Sequence, residues 1–180
     1  MDIVTKFHNK NIQMHLSIIK EISLIAPGKK MLVFGLGYDS ELWHNLTNFN
    51  TYFVEHDIKY IDLNKNIDQK YVIHYDYPTK VKSSFAMTDN EINNIKIPNS
   101  LLELGPFDII LIDGPTGFNN ECPGRILPIY WSKKYLSKQG TIIYIDDAYR
   151  KLENMCINKY FSNDNKEIIN VRDGCAKVKL

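Results

Sequence analysis

The sequence contains little cysteine and no long hydrophobic run. Its 180 residues include three cysteines, Cys122, Cys156 and Cys175. An odd number excludes complete disulfide pairing, and the spacing matches neither a zinc site nor a redox motif. No apolar run approaches the roughly 20 residues that a transmembrane helix needs, and no apolar signal-peptide stretch follows the start of the chain. These absences predict reduced thiols in a cytoplasmic protein with no membrane anchor.

The sequence also lacks an excess of charge of either sign. Lysine and arginine total 22 and aspartate and glutamate total 21, which gives a formal net charge of +1. Proteins that bind nucleic acid through an extended face are usually strongly basic, so no nucleic-acid or membrane partner is expected. Hydrophobic residues make up 44% of the chain, which is ordinary for a globular protein. We expect one domain over residues 1–180.

Apolar patterning predicts alternating helices and strands. Apolar residues at helical spacing between Asn11 and Ile25 predict a helix within an N-terminal segment, residues 1–28. The polar composition of segment 80–100 predicts either a mobile loop or a short amphipathic helix. Short apolar runs predict strands at 31–34, 51–54, 70–75, 107–112 and 141–145, followed by an antiparallel pair at 167–171 and 176–180. This order predicts an α/β fold with a doubly wound, mostly parallel sheet, helices on both faces and an antiparallel C-terminal strand.

The turn after the first predicted strand has the pattern of a nucleoside-binding site. Gly35, Leu36 and Gly37 follow the strand, and a glycine backbone lets a ligand approach closely. Glu55 ends the next strand, 20 residues after Gly35, where a carboxylate can accept hydrogen bonds from both ribose hydroxyls. Asp76, at the end of the third strand, is a candidate for the adenine amino group.

The same turn favours S-adenosylmethionine over a dinucleotide. A dinucleotide fingerprint needs glycine or alanine where this chain has Ser40. Asp39 places a negative charge where a diphosphate would bind. S-adenosylmethionine has no phosphate and carries cationic sulfonium and amino groups. We therefore predict that Gly35, Leu36, Gly37, Asp39, Ser40 and Glu55 contact this cofactor.

Six motifs in register give a more specific indication. Together they resemble the glucuronoxylan 4-O-methyltransferase family of plant polysaccharide biosynthesis, which also contains the irregular-xylem proteins. The resemblance covers about residues 31–160. The motifs are LVFGLGYDS at 32–40 with Trp43, TYFVEHD at 51–57, Tyr77 with Thr79 and Lys80, FDII and DGPTGF at 107–118, PGRI at 123–126, and DDAYR with Glu153 at 146–153.

This resemblance implies a Rossmann-like class I methyltransferase fold, S-adenosylmethionine as the methyl donor, and a sugar hydroxyl or carboxyl as the acceptor. The chain departs from the family pattern in three places. It has His56 where the family has a second glutamate, and Asp146 where the family has a histidine. It also lacks the N-terminal membrane anchor of the plant members.

Aspartates at strand ends are the candidate catalytic groups. A sugar hydroxyl is a weak nucleophile, so its proton must be removed by a base or made more acidic by a metal. Asp113 ends a buried strand, is the first candidate for either role and is also a candidate contact of the cofactor. Asp146 and Asp147 end the neighbouring strand, and their side chains would point to opposite sides if that strand continued. Asp147 aligns with the family aspartate, so Asp113 and Asp147 are the predicted ligands of a possible divalent cation.

The remaining candidates concern the acceptor. Arg125 either binds a uronic acid carboxylate with its planar guanidinium or forms a structural salt bridge, and Tyr77 and Tyr149 have rings that can stack on a sugar. Arg150 either contacts the acceptor or pairs with Glu153 three residues later. The chain is too short for a separate acceptor domain, so we expect loops 80–100 and 117–124, or a partner subunit in a homo-oligomer, to complete the site.

Three other functions remain open from the sequence. The same cofactor site could serve a methyltransferase whose acceptor is a phenolic compound or a carboxylate. The change to Asp146 is compatible with a binding module that has lost turnover. An NAD-dependent oxidoreductase is the remaining alternative, which Asp39 and Ser40 disfavour.

Overall fold

The N-terminal helix is shorter than its periodicity predicts. The structure is a computed structural model that describes residues 12–180, so the predictions for residues 1–11 lie outside it. Helix α1 spans Leu16–Ile25 and follows His15, whose ring Nδ1 accepts a hydrogen bond from the Ser17 amide. Three isoleucines of α1 are buried, which confirms the predicted apolar face: Ile18, Ile19 and Ile22.

The predicted sheet is confirmed. Within residues 12–180 it has seven strands in the order β3-β2-β1-β4-β5-β7-β6. The strands are β1 Met31–Phe34, β2 Thr51–Glu55, β3 Val72–His74, β4 Ile109–Ile112, β5 Ile142–Asp146, β6 Asn165–Ile169 and β7 Cys175–Lys179. The first five pair in parallel, whereas β7 pairs antiparallel with both β5 and β6.

The polar segment 80–100 is helical, not a loop. Three short helices occupy the region between β3 and β4, because single apolar residues anchor each of them: Val81, Ile92 and Leu101 are buried. Thr88 and Glu91 also form a capping box at the second one. The helices after α1 are α2 Ser40–Leu46, α3 Ile58–Leu63, α4 Val81–Ser84, α5 Asp89–Asn94, α6 Asn99–Leu104, α7 Ile126–Trp131 with a π-helical turn Ser132–Leu136, and α8 Lys151–Tyr160.

Two hydrophobic clusters cover the two faces of the sheet. Alternate residues of β1 face opposite sides, so Leu32 belongs to one cluster and Val33 to the other. All four residues of β1 and all four of β4 are buried. With both faces covered, a ligand reaches these strands at their ends. No helix in residues 12–180 is long and apolar enough to cross a membrane.

Candidate active site

The turns after β1 and β4 touch each other at the carboxyl edge of the sheet. The Phe34 carbonyl accepts hydrogen bonds from the Asp113 amide at 3.0 Å and the Gly114 amide at 2.6 Å. A Cβ on Gly114 would lie 2.9 Å from the Cα of Gly35, which itself has φ +114°. Side chains at these two positions would push the turns apart. The predicted cofactor turn and the predicted catalytic strand end therefore form one site, at the point where the strand order reverses.

The Glu55 carboxylate already accepts hydrogen bonds from the protein on both oxygens, which limits its predicted contact with the ribose. Its Oε2 atom accepts a hydrogen bond from the Leu36 amide at 2.8 Å. Its Oε1 atom accepts from the amides of His56 and Asp57, both at 2.7 Å, and lies 2.8 Å from the His56 Nδ1 atom. Oε1 has no capacity left, because a carboxylate oxygen has two lone pairs. The predicted bidentate contact is therefore wrong in this structure, which leaves only Oε2 for a ribose hydroxyl.

The other residues of the cofactor turn differ in what they can contact. The Ser40 hydroxyl is buried and accepts a hydrogen bond from the Gly37 amide at 2.8 Å, so it shapes the turn from inside. Asp39 lies near the acids at the end of β4. Burial and the charge of Asp113 raise the pKa of Asp39 to about 7. This carboxyl is therefore electrostatically part of both halves of the site.

Two candidate residues, Asp76 and Tyr77, follow β3. Tyr77 packs edge-on against His56 at a ring distance of 6.1 Å, and burial together with the charge of Glu55 raises its pKa well above the usual value. The Tyr77 hydroxyl is buried, so this position does not support the predicted contact of Tyr77 with the acceptor. The Asp76 side chain is 87% exposed, so it is open to a ligand at the same end.

Three aspartates converge where β4 and β5 end. One carboxylate oxygen from each of Asp113, Asp146 and Asp147 lies within 4.8 Å of the others. The strand does not continue past Asp146, because Asp147 has φ 57° and turns the chain. The two adjacent carboxylates therefore face the same site, contrary to the expectation for a continuing strand.

The two neighbouring aspartates have opposite electrostatic surroundings. Asp147 is nearly buried, and its Oδ2 atom lies 2.7 Å from Arg125 Nη2 and 2.9 Å from Arg150 Nη1. Asp146 has no such ion pair in the described chain, and burial together with the charge of Asp113 raises its pKa to about 7. The absence of an ion pair and the raised pKa thus favour Asp146 as the candidate group for proton exchange near neutral pH.

Arg125 lies beneath the site and is only 3% exposed. Its guanidinium donates to the backbone carbonyls of Pro115 at 3.3 Å, Asp113 at 2.5 Å and Asp146 at 2.5 Å, besides its pair with Asp147. A buried group with these partners cannot receive a substrate carboxylate. The prediction that Arg125 binds the acceptor is therefore wrong, and its structural role prevails.

Arg150 and Tyr149 remain on the open side of the acid cluster. Arg150 is partly exposed and pairs with Asp147, not with Glu153 as the alternative interpretation had it. Tyr149 is 53% exposed. Its ring lies against Gly174, where a Cβ would come within 2.9 Å of it, and its hydroxyl donates to Asn170 Oδ1 at 3.2 Å. One ring face is therefore fixed against the protein.

The loop 117–124 is held in place by the segment that begins at Thr79. The Thr79 hydroxyl donates to the Pro123 carbonyl at 3.0 Å. The Val81 and Lys82 amides donate to the Cys122 and Asn120 carbonyls at 2.8 and 3.1 Å. These bonds bring together in space two motifs that are far apart in the sequence, the one at 77–80 and the one at 123–126.

The fixed loop also presents an aromatic residue that the sequence reasoning missed. Phe118 is 71% exposed, four residues after Gly114 in the DGPTGF motif. The DGPTGF motif could have indicated it, because a large aromatic residue there follows a glycine close to the candidate catalytic Asp113.

Comparison with known proteins supports a relationship over most of the chain. The family model described as IRX15/IRX15L/GXM matches residues 78–172. Glucuronoxylan 4-O-methyltransferase 1 of Arabidopsis thaliana is 30% identical over 167 residues, which is 75% of this chain and 58% of that protein. Arabinogalactan O-methyltransferase 2 of the same plant is 27% identical over 177 residues, 84% of this chain and 60% of that protein. The chain thus spans less than two thirds of the length of these relatives.

Solved structures support the fold. The SAH-bound methyltransferase of Podospora anserina superposes with a TM-score of 0.56 at 13% identity, over 99% of this chain and 88% of that one. The SAH-bound O-methyltransferase of Bacillus cereus gives a TM-score of 0.53 at 16% identity, over 98% of this chain and 86% of that one. The Rossmann-like methyltransferase fold is therefore confirmed.

Proposed function

The chain belongs to the IRX15/IRX15L/GXM family, and from this membership and the geometry of the site we propose that it is an S-adenosylmethionine-dependent O-methyltransferase. The proposed acceptor is a hydroxyl or carboxyl group of a sugar, in a glycan or a glycan precursor. The relatives named as O-methyltransferases of glucuronoxylan and arabinogalactan support a carbohydrate acceptor.

The contact between the two turns is the observation that carries this proposal. Gly35 and Gly114 pack directly against each other, so a ligand bound on the turn 35–40 lies beside Asp113 and the other two aspartates. Methyl transfer needs a donor site and a proton acceptor next to each other, since the reaction depends on alignment of the nucleophile, the methyl carbon and the leaving sulfur.

The cofactor half is formed by the turn after β1 and by the ends of β2 and β3. In the proposal, the glycine backbone and Leu36 line the turn, and the free lone pair of Glu55 Oε2 accepts a ribose hydroxyl. Asp76 reaches the adenine amino group from its exposed position. Asp39 lies where a cationic part of the donor would be favoured. When bound, S-adenosylmethionine supplies the electrophilic methyl group.

The aspartates would supply the proton acceptor. The acceptor hydroxyl would form an O–C bond to the methyl carbon as the S–C bond of the bound donor breaks, and Asp146, beside Asp113, would take the hydroxyl proton. A carboxyl with a pKa near 7 suits this role, because it accepts a proton readily near neutral pH. Asp147 is less suited, since two guanidinium groups stabilise its charged form.

The donor set is also chemically compatible with a divalent cation. Three carboxylates within 4.8 Å offer the oxygen ligands that Mg²⁺ and Mn²⁺ prefer. Asp113 and Asp146 would hold the ion, because the Oδ2 atom of Asp147 is taken by Arg125 and Arg150. This changes the pair expected from the sequence. A bound cation would make the acceptor hydroxyl more acidic.

Calorimetric titration tests the cofactor assignment directly. We expect S-adenosylmethionine to bind and NAD not to bind, and we expect binding to be lost in Glu55→Ala. Glu103→Ala is the matched control, since Glu103 is exposed on helix α6. Thermal unfolding of both variants separates lost binding from lost folding. Folded wild-type protein that fails to bind S-adenosylmethionine would contradict the proposal and favour a module without turnover.

Transfer of a labelled methyl group tests the acceptor. Uronic acid-containing and neutral oligosaccharides should be methylated, whereas phenolic acceptors should not. The same assay, repeated after chelation and again with added Mn²⁺, decides between a metal and a carboxyl base. Unchanged turnover after chelation would leave the Asp113–Asp146 pair as the base.

A further inference from the structure

Glu153 is a buried acid that lacks a partner on one oxygen. It lies in the first turn of α8 and is 1% exposed. Within the described part of the chain, its Oε1 atom has no hydrogen-bond partner. A buried polar atom of this kind destabilises a fold, so its presence in a native structure calls for an explanation.

The nearest cationic group is engaged elsewhere. Arg150 begins the same helix three residues earlier, a spacing at which side chains can pair. Its Nη1 atom instead lies 2.9 Å from Asp147 Oδ2, an oxygen that also accepts Arg125 Nη2 at 2.7 Å. Two guanidinium groups therefore share one oxygen of Asp147, while the neighbouring Glu153 has no guanidinium partner in the described chain.

Arg150 and Glu153 approach the same point of the backbone at Gly117. A Cβ on Gly117 would lie 2.9 Å from Glu153 Oε1 and 3.5 Å from Arg150 Nη1. The two atoms therefore lie beside the same point, where residue 117 has no side chain to separate them. A movement of the guanidinium past Gly117 would bring it towards Glu153 Oε1.

We propose that Glu153 is a positioning residue that receives Arg150 when Asp147 engages the acceptor. The exchange replaces one ion pair by another, so neither Arg150 nor Glu153 is left with an unpaired buried charge. Asp147 keeps its contact with Arg125, which does not move. Its second guanidinium partner is removed, which frees Asp147 to accept a hydrogen bond from the substrate. The consequence for catalysis rests on the proposed methyltransferase function, whereas the exchange itself does not.

A double-mutant cycle on stability tests the exchange without any substrate. The free energy of unfolding is measured for Arg150→Met, Glu153→Gln and the double variant, first with Asp147 present and then in Asp147→Asn. Asparagine tolerates the positive φ of position 147 and removes the competing charge. We expect little coupling between Arg150 and Glu153 with Asp147 present, and clear favourable coupling in Asp147→Asn. Equal coupling in the two backgrounds would overturn the proposal.

Kinetics of Glu153→Gln and Gly117→Ala test the consequence. Glutamine keeps the shape of Glu153 and removes its charge, and alanine at 117 keeps the Glu153 carboxyl but puts a methyl group next to both Glu153 Oε1 and Arg150 Nη1. Each should lower kcat by about tenfold, a usual size for coupling between sites, without changing the KM for S-adenosylmethionine. The double variant should lose no more than either single variant, and Glu103→Gln should match wild type.

Stability separates this role from a merely structural one. Glu153→Gln removes a buried unpaired charge, so its Tm should equal or exceed that of the wild type while kcat falls. A parallel fall in Tm and kcat would show that Glu153 only supports the fold. A wild-type protein without methyl transfer would contradict the proposed function, and the stability cycle would still decide the exchange.

Discussion

Arg125 Nη2 lies 2.7 Å from Asp147 Oδ2, and the same guanidinium donates to the backbone carbonyls of Asp113 and Asp146. One buried cation therefore ties the end of β4 to the end of β5. The arrangement fixes the distance between the candidate catalytic carboxyls, and it places the positive charge below the site, away from solvent.

Replacing Arg125 should affect stability first. Arg125→Met leaves Asp147 without its closest partner and leaves three backbone carbonyls without this donor. Removing one partner of a buried ion pair typically costs about 3–5 kcal/mol, and we expect a loss of this size in urea unfolding. Arg150→Met, which removes a partly exposed partner of the same aspartate, should cost much less. A stable Arg125→Met protein with only a raised acceptor KM would restore the substrate-binding role.

Asp146 should lower the stability of the protein as the pH rises. Its pKa is about 7 in the folded state against 3.8 as the reference value, so the unfolded chain releases this proton at lower pH. The cost therefore accumulates between about pH 4 and pH 7. Asp146→Asn should show no gain in Tm at pH 4 and a gain at pH 8 of roughly 2–4 °C for each 1 kcal/mol recovered.

The same variant should lose activity. A general base contributes about 10²–10⁴ in rate, so kcat should fall by a factor in this range. Wild-type kcat/KM should rise with pH through about 7 as the Asp146 carboxyl ionises. A Tm difference that is independent of pH, or an unchanged rate, would contradict the assignment.

His56 should stabilise the turn after β2 mainly at low pH. The hydrogen bond from His56 to Glu55 raises the pKa of the imidazole above 6.5. A raised pKa means that this stabilisation is complete below about pH 6.5 and disappears as the pH rises through the folded-state value. The Tm of His56→Gln should therefore lie furthest below that of wild type near pH 5.5, and the two should converge by pH 9. A constant difference would exclude this linkage.

Phe118 and Tyr149 should contribute to acceptor binding if the acceptor is a sugar. Both rings are exposed and follow Asp113 and Asp147 by five and two residues in the sequence, and an aromatic contact is worth about 0.5–1.5 kcal/mol. Alanine at either position should raise the acceptor KM by roughly 2- to 12-fold without changing the affinity for S-adenosylmethionine. Phe85→Ala, which removes an exposed ring on the loop after α4, is the control. Equal effects of all three variants would count against a specific acceptor surface.

Most of the strand positions and the predicted location of the site followed from the sequence, because both depend on local patterns. Runs of buried apolar residues mark strands 31–34 and 109–112, and polar residues follow where such runs end. In a parallel sheet these ends meet at one edge. For the segment 80–100 the sequence left a loop and a short amphipathic helix open, because its three helices are anchored by single apolar residues, which give no periodic signal.

The partners of the charged side chains were decided only by the tertiary structure. Glu55, Arg125 and Asp147 could be identified as candidates from their sequence positions. Whether each is free for a ligand depends on donors and acceptors from distant parts of the chain: the Leu36 amide occupies Glu55, and backbone carbonyls from two turns surround Arg125. The positive φ of Asp147 turns it towards Asp146 and Asp113. The sequence by itself determined which groups stand at the edge of the sheet, and three-dimensional packing decided which of them remain available for chemistry, because burial and hydrogen bonding act between residues that the sequence keeps far apart.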